Sequence, residues 1–193
     1  MPRGSYHRGQ TLLELITALF VLALVLVGAL ALTSSNFRLE GIGSSRLIAT
    51  NLAREGVELA RSVRDSNWLS GEVFDRGLIN AKHCARIVGT APQPFVDHFA
   101  FEDCVDTVDP LFLLTKTTDG RYYSDPAIGD PTQYYRRARL DPICLVNGVE
   151  NILTQGACDD GTEIGVSVRV DVVWHYAGQK MNLSLAEHLY DWQ

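Results

Sequence analysis

Two sets of residues in this sequence have the types and spacing to do chemistry: a single acid at the start of a long apolar run, and four cysteines. The acid is Glu14, and no ionisable side chain follows it from Leu15 through Phe37. A carboxylate at the edge of such a run is costly without a charged partner, so we expect Glu14 to pair with a cation. A second interpretation stays open. Thr11-Leu12-Leu13-Glu14 fits a capping box, whose side chains satisfy backbone N–H groups at a helix start.

The four cysteines, Cys84, Cys104, Cys144 and Cys158, all lie beyond the apolar run. An even number of cysteines in an exported domain predicts disulfides, although four allow three connectivities. Pairing in sequence order, Cys84–Cys104 and Cys144–Cys158, closes the shortest loops, and we predict that pairing. A zinc site is the alternative, but the sequence has no C-x-x-C or H-x-x-x-H spacing.

Signals for catalysis or for a bound metal are weak. The sequence has no G-x-S-x-G, H-E-x-x-H or P-loop pattern, and its five histidines are scattered. The acidic segment with Asp159, Asp160 and Glu163 is a weak calcium candidate, and because it departs from the EF-hand pattern, a solvated turn is favoured. We therefore predict that the protein is not an enzyme and has no cofactor.

The charge balance is acidic. The net charge is −6. Removal of residues 1–9 would take away Arg3 and Arg8, which would leave 15 basic against 23 acidic side chains and a net charge of −8. This balance argues against nonspecific binding of a phosphate backbone. The basic cluster Arg136, Arg137 and Arg139 is a candidate for a local nucleic-acid patch, but a strand with solvated arginines is favoured.

The element that must position Glu14 is an N-terminal helix. The run from Leu15 through Phe37 exceeds the roughly 20 residues that one helix needs to cross a bilayer. Arg3 and Arg8 precede it, which predicts a cytoplasmic N-terminus and an external remainder. The leader MPRGSYHRG is not a typical secretory signal peptide, because such a peptide has its cleavage site after the apolar core.

The helical pattern continues from Thr33 to about Asn67, weakened by Ser34-Ser35-Asn36 and by Gly41 and Gly43. At 100° per residue, an apolar stripe forms that a sheet could pack against. The residues on this stripe are Phe37, Ile48, Leu52, Leu59 and Val63, with Ala49, Gly56 and Ala60 beside them.

The remaining sequence predicts an antiparallel sheet. Valines alternate with polar residues from Gly165 to Tyr176, and Ala177-Gly178-Gln179 then turns the chain into a partner strand. We expect this C-terminal hairpin to pack on the helix stripe. Three other candidate strands are 112–116 and 121–123, joined by a turn at Asp119-Gly120, and 133–140, ended by Asp141-Pro142.

At Gly9-Gln10-Thr11-Leu12-Leu13-Glu14 the sequence resembles type IV pilins and their pilin-like relatives. In that family a prepilin peptidase cuts after the glycine that ends a charged leader, the new N-terminus is methylated, and the fifth mature residue is a glutamate. The resemblance implies cleavage between Gly9 and Gln10 and methylation of Gln10. It also implies that Glu14 sets subunit register by pairing with the N-terminal amine of a neighbouring subunit.

The resemblance implies a pilin-like α+β fold, with a long N-terminal helix packed on a C-terminal antiparallel sheet and loops held by disulfides. The expected divisions are a leader at 1–9, a membrane and fibre-core helix at 10–36, an amphipathic helix at 37–67, and sheet and loops at 68–193. The implied partners are copies of itself or related pilins, prepilin peptidase, an inner-membrane assembly platform and, before assembly, membrane lipid.

The function that this resemblance implies is a structural one. The protein would be a pilin or minor pilin, held in the bacterial membrane and then assembled into an extracellular fibre for adhesion, motility or DNA uptake. A pseudopilin of a secretion or competence machine is an alternative, because it shares the same leader, glutamate and helix. A third possibility is an unprocessed, single-pass surface domain, which would retain residues 1–9.

Overall fold

The computed structural model describes residues 8–88, 98–125, 127–154, 157–159 and 161–191, with side chains described from Leu12 onward. Within these residues one long helix, α1 (Arg8–Ser70), precedes eight β-strands and a short 3₁₀ helix, Pro110–Phe112. The chain forms two compact units that divide between Ser44 and Ser45. The fold is α+β with an antiparallel sheet and two disulfides, as predicted.

The first unit is helical throughout its described residues. Helix α1 continues without a break through Ser34-Ser35-Asn36 and past Gly41 and Gly43, where the sequence predicts a weakening. The hydroxyl of Ser34 donates to the carbonyl of Leu30 at 3.0 Å, one turn earlier, so this side chain does not compete with the helical backbone.

Helix α1 ends where the sequence predicts, between Asn67 and Gly71. Gly71 has a φ of +70°, a left-handed conformation that glycine adopts without steric cost. Its N–H donates to the carbonyl of Trp68 at 3.1 Å, and the N–H of Glu72 donates to the carbonyl of Asn67 at 2.9 Å. These two bonds form a Schellman motif, which satisfies carbonyls that a helix end leaves without partners.

The strands of the antiparallel sheet are β1 (Cys84–Ile87), β2 (Phe99–Glu102), β3 (Leu113–Lys116), β4 (Tyr122–Tyr123), β5 (Asp130–Val146), β6 (Val149–Ile152), β7 (Thr162–Tyr176) and β8 (Gln179–Tyr190). The central strand is β5. β7 pairs along almost the whole of one edge of β5, and β8 pairs with β7. The short strands β3, β1 and β6 pair with the opposite edge of β5. β4 pairs with β3, and β2 pairs with β1.

The predicted end of the third candidate strand at Asp141-Pro142 is wrong, because β5 continues to Val146. Leu140 donates its N–H to the carbonyl of His83, and Pro142 accepts from the N–H of Leu153, so both residues direct their polar backbone groups away from β7. Proline lacks an N–H, and here the missing donor faces the edge of β5 between β1 and β6. The ladder to β7 therefore loses no hydrogen bond.

The core of the second unit lies between the second half of α1 and one face of the sheet. Val166, Val168, Val170 and Val172 of β7 are fully buried there, with Trp174 at 1% exposure. Leu183 and Leu185 of β8 pack against the same core. The predicted packing of the C-terminal hairpin on the helix is thus confirmed. The hairpin turn has positive φ at both Ala177 and Gly178, as a two-residue type I′ turn requires.

The predicted helix stripe is correct in its second half and wrong at its first member. The residues buried against the sheet are Ala49, Leu52, Ala53, Gly56, Val57, Ala60 and Val63, while Ile48 and Leu59 are half-buried. Phe37 is 68% exposed. It belongs to the first unit, whereas the buried residues of the stripe belong to the second unit.

Gly56 sets the distance between α1 and the sheet, which gives a testable prediction. A Cβ at this position would lie 2.7 Å from Cδ1 of Ile87 and 2.9 Å from Cγ2 of Val170. We expect Gly56→Ala to lower the free energy of unfolding by about 1 kcal/mol, because overpacking costs more than the gain in helix propensity. Thermal unfolding followed by tryptophan fluorescence would measure this. Gly43→Ala is the control, since nothing lies within 4 Å of Gly43, and an equal loss there would contradict the packing argument.

Candidate functional site

The candidate processing site lies at the start of α1. Gly9 and Gln10 are within the helix, while their side chains, and all of residues 1–7 of the predicted leader, lie outside the described part of the chain. Helix α1 begins at Arg8, three residues before Thr11. Thr11 is therefore inside a helical turn here and not at the N-cap position, so the capping-box interpretation does not describe the start of this helix.

The helix surface after this site is apolar on every side. The large apolar side chains from Leu12 to Phe37 are each 54–70% exposed within the single chain. Burying apolar surface is favourable by roughly 25 cal/mol per Å². A helix with this surface is therefore stable in lipid or against other apolar helices, and by length and composition α1 qualifies as a candidate membrane span.

Three hydroxyl groups in the apolar run, those of Thr17, Thr33 and Ser34, donate to carbonyls inside the helix. Thr17 donates to the carbonyl of Glu14 at 2.9 Å, and Thr33 donates to the carbonyl of Ala29 at 2.9 Å. A polar group without a partner costs several kcal/mol in hydrocarbon. These internal bonds therefore make the run compatible with an environment that contains no water.

Glu14 lies at the N-terminal boundary of this apolar surface. Its side chain is exposed, and the next ionisable residue along α1 is Arg38. Within the described residues the Glu14 carboxylate forms no hydrogen bond or ion pair. The carboxylate is thus accessible to a cation that another chain supplies.

The structure contains the two disulfides Cys84–Cys104 and Cys144–Cys158, with Cα–Cα distances of 5.2 and 5.6 Å. These are the pairs that sequence order predicts. The first ties the start of β1 to the loop after β2, and the second ties β5 to the loop before β7. Cross-links over 20 and 14 residues are each expected to stabilise the fold by about 3 kcal/mol.

The basic cluster does not form one patch, because successive residues of a strand point to opposite faces. Arg137 and Arg139 lie on the outer face of the sheet, where they bind Asp171 at 3.3 Å and Asp141 at 3.0 Å. Arg136 lies on the inner face and is only 1% exposed. The expectation of solvated arginines is therefore wrong for Arg136.

Arg136 is instead part of a buried ion pair that sequence reasoning missed. Its Nη1 donates to Oε2 of Glu55 at 2.9 Å and to the carbonyl of Leu52 at 3.4 Å. Burial lowers the pKa of Arg136, and the Glu55 carboxylate opposes that effect. A signal was present in the sequence, since Arg136 is in phase with Tyr134 and Ala138, two residues of the buried face of β5.

The acidic segment is only partly described, because Asp160 lies outside the described residues. Glu163 is half-buried, and its Oε1 has no hydrogen-bond partner within the described part of the chain. Burial, followed by repulsion from Asp75, raises the pKa of Glu163 to about 7. Among the described residues no group of three or more His, Cys, Asp or Glu side chains is placed to hold a metal ion.

The raised pKa of Glu163 predicts a dependence of stability on pH. Its folded pKa of about 7 exceeds the model-compound value of 4.5, so the folded state binds more protons, and the stability should fall as the pH rises from about 4.5 to about 7. Because Glu163 is partly solvated, we expect a loss of only about 1 kcal/mol. Urea unfolding of the wild type and of Glu163→Gln at several pH values would test this. The same slope in both proteins would contradict it.

A comparison with protein families finds one match at the N-terminus. The prokaryotic N-terminal methylation motif matches residues 4–30, which include Gly9, Gln10 and Glu14. The chain has no significant match among curated proteins or among solved structures. The motif in general implies peptidase processing and assembly with other pilins, and it indicates a structural subunit more than an enzyme. The chain therefore carries the type IV prepilin signature ahead of a pilin-like α+β domain, which supports a type IV pilin-like or pseudopilin protein.

Proposed function

We propose that this protein is a pilin or minor pilin, a subunit that is anchored in the bacterial membrane and is then assembled into a helical fibre. The observation that carries the proposal is the apolar surface of α1, which begins at Leu12 inside the matched motif and has Glu14 near its N-terminal end. In the membrane this surface contacts lipid, and in a fibre it contacts the same surface of neighbouring helices. A head-to-tail contact of this kind propagates and does not close.

In this proposal prepilin peptidase removes residues 1–9 on the cytoplasmic side, and the new N-terminus at Gln10 is methylated. Residues 10–36 form the membrane and fibre-core helix, 37–67 the helix of the pilin domain, and 68–193 its sheet and loops. The amine of Gln10 in one subunit pairs with the carboxylate of Glu14 in its neighbour. Burial between helices strengthens such a pair, because the local dielectric constant is low.

Intact-mass and N-terminal peptide analysis of the protein from native membranes or shed fibres tests the processing step. We expect a chain that begins at Gln10 and carries one methyl group. A mature chain that still begins at Met1 would overturn the proposal in favour of an unprocessed surface domain. Electron microscopy of the producing cells separates the remaining alternatives, because a pilin forms long surface fibres and a pseudopilin does not.

A further inference from the structure

The outer face of the sheet carries an open pocket of about 370 Å³. Thr107 of the loop after β2 contributes to its lining, and the other lining residues come from three adjacent strands: Arg137 of β5, Asp171 and Val173 of β7, and Lys180, Asn182 and Ser184 of β8. We call this the outer-face pocket. It lies on the side of the sheet away from α1, since the residues that alternate with Asp171 and Val173 on β7 are buried in the core.

One side of the pocket is held rigid by the Asp171 carboxylate. Asp171 accepts from the Ser184 hydroxyl at 2.6 Å and from Nη2 of Arg137 at 3.3 Å. The other terminal nitrogen of Arg137 donates to the carbonyl of Val105 in the loop after β2. The Arg137 and Asp171 side chains are only 19% and 16% exposed. Their polar atoms therefore hold fixed positions before any ligand arrives, which reduces the entropy lost on binding.

Other polar groups at the pocket have unused bonding capacity. Asn182 is exposed, and its amide makes no side-chain hydrogen bond within the described residues, so two donors and a carbonyl acceptor face solvent. The Lys180 ammonium is half-exposed and lies 3.7 Å from Asp106, its ion-pair partner. The pocket thus offers an amide, a hydroxyl, a carboxylate and an accessible cation together.

An aromatic side chain lies beside these polar groups on the outer face of the sheet. Val173 lines the pocket but is only 3% exposed, and its direct neighbours across the two ladders are Tyr135 and Asn182. The Tyr135 ring packs edge to face against His175, with centroids 6.4 Å apart, and His175 is paired with Lys180. The half-buried Tyr135 ring therefore lies on the same face of the sheet as the Asn182 amide and the Lys180 ammonium.

We propose that the outer-face pocket binds an acidic saccharide, a sugar unit that carries a carboxylate. Lys180 would bind the carboxylate, Asn182 and Asp171 would bind ring hydroxyls, and the C–H face of the ring would lie on the ring of Tyr135. Sites of this kind combine apolar surface with a few fixed polar groups. This inference does not depend on how the N-terminus is processed.

The same contacts disfavour a polyphosphate ligand. Arg137 already uses its guanidinium on Asp171 and Val105, and the carboxylates of Asp106 and Asp171 border the pocket. An ionised phosphate chain has no hydrogen to donate to these carboxylates, whereas the hydroxyl groups of a sugar unit can donate to them. Nucleic acid is therefore the alternative that the experiment must separate.

The test is calorimetric titration of the full-length protein in a sugar-free zwitterionic detergent with trigalacturonate, its neutral methyl ester, inorganic phosphate and a thymidine oligonucleotide. We expect saturable binding of trigalacturonate, weakened about fivefold or more in both Asn182→Ala and Lys180→Gln. The wild type should bind the methyl ester more weakly than the acid. The Lys180→Gln variant should bind trigalacturonate and its methyl ester equally tightly, because it lacks the cation that recognises the carboxylate.

Lys82→Gln is the matched control. This lysine is 47% exposed and pairs with Asp103, outside the lining of the outer-face pocket, so its loss should leave trigalacturonate binding unchanged. Unchanged thermal unfolding of each variant would show that the fold is intact. The proposal is overturned by the absence of saturable trigalacturonate binding up to roughly 10 mM. It is also overturned if the oligonucleotide or phosphate binds as tightly, or if Asn182→Ala binds like the wild type.

Discussion

Replacing Glu14 with glutamine should leave the protein in the membrane and reduce its assembly into fibres by about tenfold or more, the effect of losing roughly 1.4 kcal/mol per subunit contact. Membrane insertion should be unchanged, because it depends on the apolar run that follows Glu14. Assembly should fail because the neutral amide cannot compensate the N-terminal amine of the neighbouring subunit. Comparison of membrane-bound and sheared-fibre protein by immunoblotting would measure both quantities.

Glutamine is the informative substitution here because it removes the charge of Glu14 and retains the length of its side chain. A wild-type fibre yield in Glu14→Gln would therefore reject charge pairing. Glu40→Gln is the matched control, since Glu40 is an exposed acid of the same helix beyond the apolar run. Equal losses of fibre in the Glu14 and Glu40 variants would point to a general effect of charge.

Replacing Glu55 with alanine should lower the free energy of unfolding by about 3 kcal/mol, because it leaves the buried guanidinium of Arg136 without its carboxylate. The melting temperature should fall by roughly 6–12 °C for a unit of this size. Thermal unfolding monitored by tryptophan fluorescence is suitable, since Trp174 is buried and its ring centroid lies 6.3 Å from that of Tyr134.

Replacing the other partner of the ion pair, Arg136, should have a much smaller effect on the free energy of unfolding. In Arg136→Met the buried charge is replaced by an apolar side chain of similar length, and Glu55, whose side chain is 42% exposed, can be hydrated by water. We expect Arg136→Met to remain within about 1 kcal/mol of the wild type. Equal destabilisation by Glu55→Ala and Arg136→Met would contradict this asymmetry.

Glu58→Ala provides the surface control for the same helix. Glu58 pairs with Arg61, but its side chain is 61% exposed, and Arg61 also binds Glu187 on β8. Water and salt screen an exposed pair of this kind, so its loss should cost less than about 1 kcal/mol. A loss as large as that of Glu55→Ala would show that burial is not the source of the effect.

The sequence by itself determined the features that depend on neighbouring residues along the chain. The uncharged run after Glu14 and the glycine-ended leader are properties of consecutive residues, and they identified the processing motif. Alternation of valine with polar residues identified β7, and Ala177-Gly178 identified its hairpin turn. Each of these signals acts over a few residues, within reach of helical or strand periodicity.

The tertiary structure alone decided which groups meet across elements. The partner of Arg136 is Glu55, 81 residues away in the sequence. Burial, followed by repulsion from Asp75, raises the pKa of Glu163. Pro142 is compatible with β5 because its missing N–H faces the gap between β1 and β6. The strand propensity of the neighbouring residues does not predict this gap. The outer-face pocket likewise exists only because the register of three strands aligns Arg137, Asp171 and Ser184 in one row. Pairing over such separations depends on the packing of the whole domain, and so local sequence patterns do not reveal it.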